Sequence, residues 1–308
     1  MKKSIITCAV TGSSLSPSMS PNLPCAPDEV AGQAVAAAEA GAAILHLHAR
    51  ERDGRPTNDT AIWREIVGAI RDKSDAIINM SASLGKDADD RLSAVLDLRP
   101  ELATVIVGSM NYGLFRKAIN QGSPEFRTDW EREMFGPKSY RIVTNNSFDV
   151  IDRMIATLID NGIAIEFECY DVGHLYILDH HLQKHDVKGP LIVQFLTGIL
   201  GGIQSDIPHL VHMKETAERL FGDHLQLFIH GTGLNNIRTA AAGGLMGTHV
   251  RVGQEDNLFD RPGVPFASNA AQVERIRSIF GCLNIEVASV AEARETLALA
   301  PSVTEMTI

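Results

Sequence analysis

The sequence predicts a single (β/α)8 barrel of the TIM type over residues 1–308. Three observations carry the prediction. Short β-rich runs alternate with helical patterns along the whole chain, the rhythm of a parallel sheet with helical crossovers. The runs are continuously apolar, as strands buried on both faces are. Eight βα units in a chain of 308 residues fit the length of such a barrel. An open doubly wound sheet is the rival, but no G-x-G-x-x-G follows the first strand.

Composition narrows the function. The formal net charge is −10, against the basic excess of a nucleic-acid binder. A local arginine cluster still leaves room for an anionic small ligand. The four cysteines, Cys8, Cys25, Cys169 and Cys282, are far apart and form no CxxC, which fits free thiols in a reducing cytoplasm. No apolar run approaches the roughly 20 residues of a membrane span. The short apolar run near the start reads as a strand rather than a signal peptide.

The elements follow in order. "SIITCAV" is the first strand, β-branched and closed by "TGSS" at residues 11–14. "APDEVAGQAVAAAEAGA" is a helix with proline and acids at its start and glycine at its end. "AILHLHA" and "AIINMS" are strands two and three, and "DADDRLSAVLDL" is the next helix. "LATVIVG" is strand four. After it, residues 114–140 break the rhythm with a long aromatic and charged run, read as an inserted segment near the barrel mouth or a subunit contact. "SFDVIDRMIATLIDNG" restores the helical pattern before strand five, "IAIEFECY". Strands "PLIVQFL", "LQLFIH" and "THVRVG" then alternate with helices at "IPHLVHMKETAERLFG", "LNNIRTAAAGG" and "SNAAQVERIRSIFG".

In such a barrel, chemistry collects where strands end. Strand two ends with His46 and His48. Strand residues two apart share a face, about 6.6 Å apart along the backbone, so the two imidazoles can converge on a metal ion; the alternative is a hydrogen-bonded pair of core histidines. Strand eight carries Arg251 and runs into Glu255 and Asp256. Only strand one separates it from strand two in a closed barrel, so Glu255 can supply a third ligand. Two histidines, a carboxylate and an open position suit zinc used as a Lewis acid; a polar turn at "QEDN" is the plain alternative. Strand five places Glu166 and Glu168 on one face, with Asp171 and His174 following. Carboxylates in an apolar strand are costly to bury unpaired, so they mark either an ion pair with a neighbouring strand or a substrate group at Glu168. Strands three and four end in "NMSASLG" and "VGSMNYG", offering Ser81, Ser83, Ser109 and Asn111 to a carboxylate or carbonyl oxygen. The "LTGILGG" and "HGTG" loops after strands six and seven read either as anion-binding backbone or as tight turns.

Taken together, "IITCAVTG", "AGAAILHLHAR", "EFECYDVGHL", "VRVGQEDNL", "SNAAQVERIRSI" and "EVASVAEARETL" resemble the β-keto acid cleavage enzymes, of which the 3-keto-5-aminohexanoate cleavage enzyme is the best-known type. The resemblance runs from Lys3 to the C-terminal helix. It implies a TIM barrel, a homotetramer, and a divalent metal, typically zinc, on His46, His48 and Glu255. It implies a reaction that joins a β-keto acid to acetyl-CoA and yields acetoacetate and a new acyl-CoA. It also implies Arg251 and Asp256 as a catalytic pair, with Glu168 and Ser81 at the substrate. A guanidinium is effectively always protonated, so Asp256 as base, with Arg251 clamping a carboxylate bidentately, asks less of the chemistry.

Three positions depart from the family pattern. Ser14 stands where the aminohexanoate enzymes carry a glutamate; an anion there suits an ammonium group, and a serine does not. Ser83 interrupts the usual strand-three loop, and Leu234 follows the glycines where many relatives have arginine. A small β-keto acid other than 3-keto-5-aminohexanoate is therefore expected. Two other enzyme readings are an amidohydrolase-like hydrolase and a related C–C lyase. The first wants His-x-His on strand one, with metal-binding histidines on strands five and six, and the second wants it late in the barrel. A barrel that binds metal or acyl-CoA without catalysis is the remaining alternative.

Overall fold

The computed structural model describes residues 3–120 and 125–300. Its centre is a closed parallel barrel of eight strands: β1 (Ile6–Ala9), β2 (Ile44–Leu47), β3 (Ile77–Ser81), β4 (Leu102–Ile106), β5 (Ala164–Cys169), β6 (Leu191–Thr197), β7 (Leu225–Gly231) and β8 (His249–Val252). β8 pairs with β1, and β1 with β2. The first and last strands are thus neighbours, and the two ends of the chain build one region.

Helices α1 (Pro27–Glu39), α2 (Thr60–Arg71) and α3 (Ala88–Leu98) follow the first three strands. α4 (Leu114–Asn120), α5 (Asp129–Phe135) and α6 (Phe148–Asp160) lie between β4 and β5. α7 (Val172–Leu182), α8 (Ile207–Phe221), α9 (Asn236–Leu245) and α10 (Asn269–Cys282) follow the remaining strands, and α11 (Val290–Thr296) ends the described fold. None of these helices is long and apolar enough to cross a membrane.

Outside the 114–140 segment, where no helix is read from the sequence, two helices escape the sequence reading, α2 and α7. α2 starts behind a turn that hides its boundary, where Asp59 caps the N–H groups of Ala61 and Ile62. α7 carries apolar residues all round, with His174 and His181 buried among them, so it shows little amphipathic pattern. Strand two is also shorter than expected. It ends at Leu47, and Ala49–Arg50 pairs instead with Pro56–Thr57 in a small hairpin.

Alternation along each strand sorts the interior into layers. Ile44, Ile77, Leu102, Ile192 and Phe228 form an apolar floor inside the barrel, closed below by Ala293 of α11 and by Leu297 just after it. Leu45 and Leu47 face outward into the main core against the helices. One step above the floor the inward positions turn polar: His46, Asn79, Thr104, Glu166, Gln194 and Arg251 are all buried. The continuous apolar runs thus describe the outer face and the floor, and the polar residues mark the upper interior.

The segment between β4 and α6 packs onto the loop after β1. Leu114, Trp130 and Phe135 form one cluster with Leu15, Met19, Leu23 and Leu258. Residues 121–124 of the expected 114–140 insertion lie outside the described part. Glu131 locks the two loops together. It is buried, and it accepts hydrogen bonds from the backbone N–H groups of Ser18, Arg127 and Thr128. Burial pushes its carboxyl up, but hydrogen bonds from Ser18, Ser16 and Thr128 outweigh it and hold the group at about 2. A depressed carboxyl stabilises the fold fully above its unfolded value near 4.5, and that stability is lost as pH falls toward 2. Glu131→Gln is expected to cost roughly 1–3 kcal/mol at neutral pH, because buried donors lose an ionised acceptor. Urea unfolding as a function of pH checks this: the gap between wild type and variant closes on going from pH 4.5 to 2.

Candidate functional site

The upper interior gathers on one side around Arg251. Its guanidinium is fully buried and every face of it meets a carboxylate. Nε and one terminal nitrogen donate to the two oxygens of Asp256 at 2.9 and 3.1 Å, a bidentate fork. The other terminal nitrogen donates to Glu168 Oε1 at 3.0 Å. Glu255 Oε1 lies 2.8 Å from the nitrogen shared with Asp256. The carboxylate that Arg251 grips bidentately is therefore Asp256 itself, and the fork is already filled.

Next to this group stand the two histidines. His46 Nε2 and His48 Nε2 are 3.3 Å apart, and Glu255 reaches both, with Oε2 3.6 Å from His46 and Oε1 3.4 Å from His48. The three residues turn one ligand atom each toward a common point, all within 4.8 Å of one another. His48 lies just past the end of β2, yet its ring meets that of His46 edge to face at 5.2 Å. Behind His46, Nδ1 is 3.3 Å from the Thr104 hydroxyl, which also bonds Asn79 and Glu166. That chain fixes the ring with Nε2 toward Glu255.

The electrostatics follow from burial. Burial, reinforced by the Arg251 charge, holds the His46 imidazole well below its usual value, so it is neutral. Burial works against ionisation of Glu255, but Arg251 and the two histidines prevail and keep its carboxyl well below the usual range. Burial pushes Glu168 up to about 8 against the pull of Arg251, with Glu166, Glu255 and Asp256 adding to the push. Glu166 is raised for the same first reason. Three carboxyl groups thus share one guanidinium in a low-dielectric interior, and Glu168 is the one that keeps its proton at neutral pH.

This donor set suits a divalent metal. The two imidazoles of His46 and His48 and the ionised carboxylate of Glu255 form a zinc-type triad. The surplus of buried carboxylates lacks positive charge, and Glu255 Oε2 has no hydrogen-bond donor. The hydroxyl behind His46 is the kind of outer partner that orients a ligating ring.

Gly12 makes the arrangement possible. It has φ +65°, and a Cβ there would fall 2.3 Å from Glu255 Cγ, so the loop after β1 can lie against Glu255 only with glycine.

A family profile described as beta-keto acid cleavage enzyme matches residues 3–299. The chain belongs to this family. It is 42% identical over 301 residues to a 3,5-dioxohexanoate:acetyl-CoA acetone transferase from Paraburkholderia graminis, covering 97% of this chain and 96% of that one. It is 30% identical to a 3-keto-5-aminohexanoate cleavage enzyme from Fusobacterium nucleatum subsp. nucleatum, covering 97% and 99%. The apo structure of ObcA shares the fold, with a TM-score of 0.70 at 18% identity over 91% of this chain and 66% of that one.

Within this family member, the residues singled out from sequence fall into two groups. His46, His48, Glu255, Arg251, Asp256 and Glu168 form one contiguous cluster. The serines and Asn111 stand apart in what they touch. Ser81 donates to Ser83 at 2.9 Å at the end of β3. Ser109 accepts from the Asn146 N–H at 2.8 Å. Asn111 is exposed and pairs with Val143 across a backbone bridge. Ser14 is buried in the loop after β1, and Leu234 is exposed in the turn after β7. Asp171 and His174 have local roles: Asp171 caps α7, and His174 Nδ1 accepts from the Tyr170 N–H. The glycine loops spend several N–H groups internally, Gly233 on Asp256 O and Gly198 on Ile203 O.

Three contributors were not singled out from sequence. His230, at the end of β7, lies with Nε2 3.5 Å from Asp256 Oδ1. Its place at a strand end was the available signal. Tyr170 OH lies 3.4 Å from Glu168 Oε2. Buried Arg50 donates to the Thr11 hydroxyl and to the carbonyls of Thr11, Leu15 and Gly54, which fixes the loop carrying Gly12 and Ser14; an arginine beside His-x-His gives no hint of such a structural task.

Arg251→Met is expected to destabilise the protein by roughly 3–5 kcal/mol, because it leaves Asp256, Glu168 and the largely buried Glu255 without their shared cation. Arg251→Lys is expected to recover only part, since an ammonium cannot fork onto Asp256. Denaturant titration of both variants measures the difference.

Proposed function

We propose that this enzyme condenses a small β-keto acid with acetyl-CoA and releases acetoacetate and a new acyl-CoA, using a divalent ion, zinc for choice, held by His46, His48 and Glu255. The observation that carries the reading is the convergence of that triad with the Arg251–Asp256 fork in a chain of this family. A divalent ion held by His46, His48 and Glu255 would supply Lewis acidity to the keto acid and so would acidify its C2.

The chain's own residues do the rest. Asp256 takes a proton from C2 of the keto acid. The fork of Arg251 holds the Asp256 carboxyl in place for that transfer. The C2 carbanion attacks the thioester carbonyl of acetyl-CoA and expels CoA as thiolate. The thiolate then attacks C3, the C2–C3 bond breaks, and Asp256 returns its proton to C2. Acetoacetate leaves, and the remaining acyl group leaves on CoA. Glu168, held by Arg251 and Tyr170, borders the substrate. Ser81, Ser83, Ser109, Asn111 and Ser14 are the polar groups proposed to contact it.

For the substrate we favour a keto acid without an ammonium group, of the 3,5-dioxohexanoate type. A serine at position 14 offers no anion to pair with a cation, and the relative named for 3,5-dioxohexanoate is 42% identical where the one named for the amino acid is 30% identical. With that substrate the products are acetoacetate and acetoacetyl-CoA. We further read the chain as one catalytic domain, and as a homotetramer, for which the exposed Tyr140, Val143 and Phe148 offer contact surface. A cytoplasmic setting fits the four free thiols.

The test is to incubate purified protein with acetyl-CoA and a panel of β-keto acids and to weigh the thioesters formed. 3,5-Dioxohexanoate is expected to turn over at least about 10-fold faster than its 5-amino analogue, the scale of one lost charge pairing. His46→Ala is expected to lose the bound metal and the activity together. No new thioester from any keto acid sinks the reaction; equal turnover of the two hexanoates sinks the reading of Ser14; unchanged metal content in the variant sinks the ligand assignment.

A further inference from the structure

A second group of metal-ligand side chains lies outside the barrel, between α6 and the end of α7. Asp152 Oδ1 is 2.9 Å from His185 Nε2 and 3.5 Å from His181 Nδ1. One ligand atom from each of the three lies within 4.8 Å of the others. A tetrahedral ion with ligands at about 2.0–2.2 Å keeps them roughly 3.3–3.5 Å apart, so the spacing needs only small adjustment.

His181 is the telling residue. Its side chain is 1% exposed, and neither ring nitrogen has a hydrogen-bond partner. Buried polar atoms in folded proteins find a partner in protein, water or ion. Here Nδ1 faces the Asp152 carboxylate at a distance a metal would span. His185 follows one helical turn later, its N–H bonded to His181 O at 3.0 Å, and the two rings stack at 6.5 Å. That hydrogen bond carries one further turn past the end of α7, and the i, i+4 spacing brings both imidazoles to one side of it.

A cation already sits at this carboxylate. Lys184 Nζ lies 3.1 Å from Asp152 Oδ1, on a side chain that is 54% exposed and free to swing into solvent. An access route is present as well: a cleft of about 530 Å³ is lined by His185, Lys184, Gln183 and His224.

We propose that Asp152, His181 and His185 form a second divalent-metal site, separate from the one in the barrel, that ties α6 to α7. Two imidazoles and one carboxylate favour zinc or a neighbouring late transition metal over magnesium or calcium, which prefer all-oxygen ligands. Three protein ligands leave a fourth position for water, and of the three His185 borders the cleft. Lys184 is its competitor, occupying the carboxylate when metal is scarce.

The experiment strips the full-length protein of metal, dialyses it against a twofold excess of Zn2+ and counts metal per chain by mass spectrometry. Two equivalents are expected for wild type and one for His185→Gln, whose partly exposed ring is a safer change than buried His181. His46→Ala is expected to keep one equivalent, and Zn2+ should raise its Tm by several degrees. That rise should vanish in the His46→Ala, His185→Gln double variant. Lys184→Gln is expected to hold the second ion at least threefold more tightly against a chelator. One equivalent in wild type overturns the proposal, as does a second equivalent that survives in His185→Gln. No gain in Lys184→Gln overturns the competition.

Discussion

The buried guanidinium of Arg251 is the constraint around which the upper barrel is organised. A guanidinium offers five donors in a plane, and here they hold Asp256, Glu168 and Glu255 around one charge. Three strands or strand ends are joined by it: β5 through Glu168, β8 through Arg251 itself, and the loop beyond β8 through Glu255 and Asp256. Removing a charge from water is costly unless partners compensate, so none of these groups tolerates loss of the others. The cost is met by the floor and outer core, which hold most of the buried hydrophobic side chains among the described residues.

Barrel closure turns this charge cluster into a site. β1 lies between β8 and β2, with Thr7 opposite Arg251 on one side and Ala9 opposite His46 on the other. Small residues on β1 leave room across the barrel wall. Gly12 then lets the following loop rest on Glu255, and Arg50 pins that loop from behind. Residues some two hundred positions apart meet because one strand of small side chains separates them.

The barrel class, all eight strands and the charged cluster were legible in the sequence, and for one reason. A histidine, glutamate or arginine within an apolar run contradicts its surroundings, and strand order says which such residues face each other. Where a residue agrees with its surroundings that logic is silent. Ser109 and Asn111 sit in a polar loop, and only the coordinates reveal that Ser109 answers to Asn146 and that the Asn111 backbone pairs with Val143. His230 stood at a strand end next to a glycine loop, and the glycines drew the interpretation. α7 was hidden because both its faces are apolar, and α2 because its start looks like a turn. The length of strand two was overestimated, since the alternation of "AILHLHA" continues past the point where the backbone leaves the sheet.

Charge balance also bears on how such a site treats its substrate. A β-keto acid arrives as an anion, into an interior where carboxylates already outnumber the guanidinium that serves them. Filling the Arg251 fork with Asp256 leaves no protein cation there to receive another carboxylate. The triad of His46, His48 and Glu255 supplies only one negative charge, so a divalent ion held by it retains net positive charge for the substrate. In that arrangement the same ion that would acidify C2 would also be what makes binding the anion favourable.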